Sequence, residues 1–166
     1  TLGSILSSAT QGILVNGANV NVVIRGITIN GAGTTPGTHG IRFIQGASLI
    51  VQDVYIQGAM GASPNGNGIL FAPNTAAELF VYNTQIVNNG PPAGGSGSGI
   101  ELAPAVSGSV RAVISNVVVA NHSTNGIRLN NTNSTGNFVI QGTGGTCTAA
   151  DQTGCSGGTI QNATGG

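Results

Sequence analysis

The chain has 166 residues, among them four Arg, no Lys, four acids, 29 Gly and no Trp. This is one domain's worth of chain, long enough to bury a real core, and its balanced charge excludes the field that steers nucleic acid or an anionic membrane. A hydrophobic content of 39% with regular Val/Ile runs excludes disorder, and no apolar run reaches the roughly 20 residues of a membrane span.

Residues 1–11, TLGSILSSATQ, carry one core position, Ile5. The interval from Ile5 to Gly12 equals that from Val119 to Gly126, so this segment is expected to be the last strand of an otherwise missing coil. From Gly12 the chain repeats itself. Gly-Ile pairs begin at Gly12, Gly40, Gly68, Gly99 and Gly126, at spacings of 28, 28, 31 and 27 residues. Self-similarity of this period is the signature of a solenoid or an array. No segment shows the i, i+3, i+4 stripe of a helix. Apolar residues instead recur two apart, the strand period.

Each repeat predicts three short strands. The first opens on Gly-Ile and carries the pairs Ile13/Val15, Ile41/Phe43, Ile69/Phe71, Ile100/Leu102 and Ile127/Leu129. The second carries Val22/Ile24, Leu49/Val51, Leu79/Val81, Ala112/Ile114 and Phe138/Ile140. Two residues then form a corner whose second member is Gly26, Asp53, Asn83, Asn116 or Gly142. Gly, Asn and Asp enter the left-handed backbone region at least cost, so a sharp bend at that place is expected in every coil. The third strand carries Ile27/Ile29, Val54/Ile56, Thr84/Ile86 and Val117/Val119, and loops of variable length lead back to the next Gly-Ile.

After Gly142 the regular pattern stops. Residues 143–157 contain Cys147 and Cys155, flanked by Gly and Thr. Such a pair suits a small disulfide-closed loop in an oxidising compartment. Free thiols and half of a metal site are the alternatives, and a zinc site lacks two further ligands nearby. Residues 158–166 follow a weaker Gly-Gly-Thr-Ile copy and are expected to be only the first strand of another, partial coil.

The pattern from about Gly12 to Gly142 resembles the right-handed parallel β-helix repeat proteins, the fold of pectate lyases and of many bacterial surface proteins. It is most similar to secreted bacterial repeat proteins that lack the lyase catalytic residues. The expectation is one all-β domain over residues 1–166, a right-handed parallel β-helix of about five to six coils with three short strands each. Coils stacked about 4.8 Å apart make a short rod.

Chemistry on this fold requires at least two neighbouring carboxylates with perturbed pKa values. The acids here, Asp53, Glu78, Glu101 and Asp151, fall on four different coils, and Asp53 is accounted for by its corner. The outward position of the first strand makes the column Leu14, Arg42, Leu70, Glu101 and Arg128, in which Glu101 and Arg128 are expected to form a surface ion pair. His39 and His122 fall just before Gly-Ile pairs and read as loop residues, three coils apart and too distant to share a metal. The Gly-rich runs lead into strands, which excludes a phosphate cradle, and nucleic-acid binding lacks basic residues and interleaved aromatics. No catalytic residue, metal site or cofactor is expected.

The ends point to the role. Neither is followed by an amphipathic helix or charged segment, and terminal coils of a solenoid need covering. The expected function is therefore a non-enzymatic extracellular or cell-surface structural protein. It would stack head to tail with itself into a fibre or stalk, or continue into the rest of a longer repeat protein. The alternative is a carbohydrate-binding or polysaccharide-degrading domain using the groove beside the first sheet.

Overall fold

A strand with apolar side chains on one face can bury them only against other strands, and a repeat of three such strands buries them by winding. The structure, a computed structural model, describes residues 3–31, 37–61, 66–91, 97–106, 109–132, 138–142 and 158–163. It opens with β1 (Gly3–Ser7). The first winding is β2 (Ile13–Asn16), β3 (Asn21–Arg25) and β4 (Ile27–Gly31). The second is β5 (His39–Gln45), β6 (Ser48–Gln52) and β7 (Tyr55–Gln57). The third is β8 (Asn67–Phe71), β9 (Ala77–Tyr82) and β10 (Gln85–Val87). The fourth is β11 (Ile100–Leu102), β12 (Val110–Ser115) and β13 (Val117–His122). The fifth is β14 (Ile127–Leu129), β15 (Phe138–Gln141) and β16 (Gly158–Ala163).

Every pairing is parallel, and each strand pairs with its equivalent one winding away. The result is three sheets: β2-β5-β8-β11-β14, β3-β6-β9-β12-β15 and β1-β4-β7-β10-β13-β16. The fold is an all-β parallel β-solenoid of five windings preceded by one strand.

Register places like on like in the interior. Phe43 stands over Phe71, Leu79 over Leu49, and Ile29 between Ile5 and Ile56. The two phenylalanine rings stack with centroids 4.6 Å apart. Ile29, Ile41, Leu49, Ile56, Ile69, Ile86 and Ile100 are wholly buried, and each such side chain stabilises the fold by about 1.5–3 kcal/mol relative to exposure. At the far end the columns finish on Leu129, Ile140 and Ile160, which are 48%, 48% and 49% exposed.

Two corners are left-handed. Gly26, Asp53, Asn83 and Asn116 have φ of 65°, 54°, 46° and 52°, each between a second and a third strand. Gly142 is not among the positive-φ residues. A second left-handed column closes the third strand: Gly58, Asn88, Asn121 and Asn162, with φ of 71°, 53°, 59° and 52°. The sequence carried its signal, an Asn or Gly two residues after Ile56, Ile86, Val119 and Ile160.

The glycine of the Gly-Ile repeat is there for want of space. A Cβ on Gly12 would lie 2.6 Å from the Gly40 carbonyl oxygen and 2.6 Å from Cγ2 of Ile29. On Gly40 and Gly68 it would meet the carbonyl oxygens of Gly68 at 2.6 Å and Gly99 at 2.7 Å, and press on Ile56 and Ile86 respectively. At this corner the first strand crosses so near the third sheet that only a hydrogen fits.

The far end corrects the sequence reading. Gly158–Ala163 is not the first strand of a further coil. It pairs with β13, Ile160 opposite Val119, and completes the fifth winding as its third strand. The Gly-Gly-Thr-Ile motif imitates a first strand, but Gly158 stands opposite Val117 with φ of 107°. The partial strands at the two ends, β1 and β16, therefore belong to the same sheet. Cys147, Cys155 and Asp151 lie outside the described residues.

Candidate functional site

The outward face of the first sheet carries Leu14, Arg42, Leu70, Glu101 and Arg128 in register, each opposite the next. Alternation along each strand puts them there, since Ile and Phe or Leu on either side point inward. Glu101 accepts a hydrogen bond from Arg128 Nη1 at 2.9 Å on one oxygen and from Asn67 Nδ2 at 2.9 Å on the other. Asn67 Oδ1 in turn accepts the backbone N–H of Ser98 at 2.7 Å.

This pair departs from a surface ion pair in one respect. Arg128 is exposed, but Glu101 is only 7% exposed. Asn67, itself buried, occupies its second oxygen, a contact that residue spacing did not reveal. A carboxylate with both oxygens engaged by neighbouring side chains is poorly placed to shuttle protons. Arg42 differs: its Nε is buried and has no hydrogen-bond partner, between Leu14 and Leu70.

The histidines also depart from expectation. Both His39 and His122 are 2% exposed, inside strands and not in surface loops. His122 follows the second left-handed corner, which turns it inward. Its Nε2 lies 3.0 Å from the Ile86 carbonyl oxygen and donates to it, and its Nδ1 accepts the backbone N–H of Asn89 at 3.4 Å. Asn89 repeats the device one winding earlier, its Oδ1 accepting the N–H of Ala59 at 3.0 Å. Burial pushes the His122 pKa below its usual value, against the two backbone hydrogen bonds, which raise it. The ring is therefore a neutral spacer satisfying main-chain groups where the ladder turns the corner.

Several other polar side chains on the outside bridge one winding to the next. Arg25 Nη2 donates to Gln52 Oε1 at 2.8 Å, Ser48 to Asn21 at 2.7 Å, and Arg111 to Glu78 at 3.4 Å. At the corners, Asn116 Nδ2 donates to Asn83 Oδ1 at 2.7 Å and Asn162 Nδ2 to Asn121 Oδ1 at 3.0 Å. Among the described residues no group of three His, Cys, Asp or Glu stands close enough to hold a metal ion, and no helix is long and apolar enough to cross a membrane.

The class defined by this fold and these faces is the parallel β-solenoid, a repeat architecture in which each winding packs only on its neighbours. Comparison with protein families, with curated proteins and with solved structures gave no match.

Proposed function

We propose that the protein is a non-enzymatic structural solenoid of the extracellular space, a rod whose work is mechanical and which extends by end-to-end stacking into a fibre or surface stalk. One observation carries this reading: a set of outward polar side chains pairs with partners one winding away, as in Arg25–Gln52, Glu78–Arg111, Asn83–Asn116 and Glu101–Arg128. Such bridges stiffen the rod along its axis. The half-exposed Leu129, Ile140 and Ile160 fit an end on which a further winding stacks, supplied by a longer chain or by another copy.

In this reading the chain is kin to secreted right-handed β-helix proteins of the pectate-lyase-like kind, and Cys147 and Cys155 form a disulfide. Electron microscopy and sedimentation velocity over a wide concentration range test the assembly. Rods lengthening with concentration are expected, and a monomer throughout would overturn it. Alkylation without reduction tests the disulfide, which predicts no added mass at either cysteine.

Arg42 favours a second reading, a carbohydrate-binding face on the first sheet. Its buried Nε lacks an acceptor, which the carboxylate of an acidic glycan would supply. Glycan binding abolished by Arg42→Gln would establish this reading, and unchanged binding would remove it.

A further inference from the structure

Two of the three carboxylates among the described residues, Glu78 and Glu101, are ion-paired with an arginine one winding on. The third is different. Asp53 stands in the left-handed corner column between Gly26 and Asn83, and no arginine, amide or hydroxyl bonds its carboxylate among the described residues. Gly26 has no side chain, so the column is open on that side. Asn83 has its Oδ1 taken by Asn116.

Asp53 lines a shallow groove of about 220 Å³ together with Thr28, Tyr55, Asn83 and Gln85. Tyr55 is in register with Thr28 on one side and Gln85 on the other, so the groove has two parallel walls, the corner column and the outward column of the third sheet. The residues of the walls carry one formal negative charge, on Asp53, and neutral oxygen-bearing side chains in Thr28, Tyr55 and Gln85. The Tyr55 hydroxyl donates to Gln57 Oε1 at 3.1 Å.

We propose that this groove binds a primary ammonium group. The single charge of an ammonium matches the single carboxylate, its three N–H donors match neutral oxygen acceptors, and the aromatic residue Tyr55 lines the same groove. A calcium ion fits poorly, since it takes about 6–8 oxygen ligands and usually several charges. The chain contains no lysine, so a side-chain ammonium must come from another molecule. The ammonium belongs either to a free amine or to a lysine of a partner.

The experiment follows backbone amide NMR shifts of the whole chain titrated with n-butylammonium chloride, n-butanol, calcium chloride or the peptide acetyl-Gly-Lys-Gly-amide. The comparison is Asp53→Asn, a safe variant because Asn fills the same left-handed corner at Asn83 and Asn116. Saturable shifts with butylammonium at Asp53, Tyr55 and Asn83, weakened up to about fivefold by Asp53→Asn, are expected of an exposed pair. The peptide arm separates the two sources: shifts as strong as those of the amine assign a partner's lysine, and their absence assigns a free amine. Equal shifts with butanol, shifts untouched by Asp53→Asn, or displacement of the amine by calcium at lower concentration would each overturn the proposal.

Discussion

His122 and Ile86 stand on successive windings, and the His122 ring closes the gap between them: Nε2 lies 3.0 Å from the Ile86 carbonyl oxygen. The other ring nitrogen accepts from Asn89, so the ring serves the backbone only while neutral. Protonation would set an N–H against an N–H.

This gives stability a pH dependence of known sign. The folded-state pKa of His122 is lowered by burial, so the unfolded chain takes up the proton first as pH falls. Stability is therefore full above the unfolded pKa of about 6.5 and declines as pH drops below it, by at most about 1.4 kcal/mol per pH unit. Urea midpoints between pH 8 and pH 5 should fall on the acid side, and His122→Gln should flatten the curve. A wild-type profile as flat as that variant's would contradict the account.

The Gly-Ile glycines should tolerate no side chain. Gly68→Ala pushes a methyl against the Gly99 carbonyl oxygen, 2.7 Å away, and against Ile86. It should cost about 1–3 kcal/mol by overpacking. Gly3→Ala is the control, since its Cβ meets only Ile27 Cγ2 at 3.6 Å, and a change within about 0.5 kcal/mol is expected. Thermal melts of the two variants make the comparison.

The corner column separates conformation from hydrogen bonding. Asn83 has φ of 46° and accepts from Asn116. Asn83→Ala should cost about 1–2 kcal/mol, mostly for placing an ordinary residue in the left-handed region. Asn83→Gly should recover most of that loss, because glycine keeps the bend and forfeits only an exposed hydrogen bond. If both variants are equally unstable in chemical denaturation, the bend is not what the residue supplies.

The Glu101–Arg128 pair should be lopsided. Removing Arg128, which is 45% exposed, should cost about 0–1 kcal/mol because solvent takes over its role. Glu101→Ala leaves the buried Asn67 amide without its acceptor and should cost more, about 1–3 kcal/mol. A double-mutant cycle on the two positions reads the coupling directly.

Much of the fold was legible because its signals are local. Apolar residues two apart named the strands, and the constant interval from Ile24 to Ile27 marked a corner that recurs at Asp53, Asn83 and Asn116. The second corner carries the same local signal in Gly58, Asn88, Asn121 and Asn162, but the connections after the third strand vary in length, so no constant interval marks it. The last strand was misread because Gly-Gly-Thr-Ile satisfies the same local pattern as a first strand. Only pairing with β13 distinguishes the two.

By itself the sequence determined a period, three strands within it and one bend, since these follow from alternation and backbone sterics acting over a few neighbouring residues. Which positions outside the core are covered was decided only by the tertiary structure. Glu101 and His122 are buried, while Asp53 is left open beside Gly26 and Tyr55, because winding brings together residues about 30 positions apart. Burial and hydrogen-bond partners are properties of that juxtaposition, and no short window of sequence contains it.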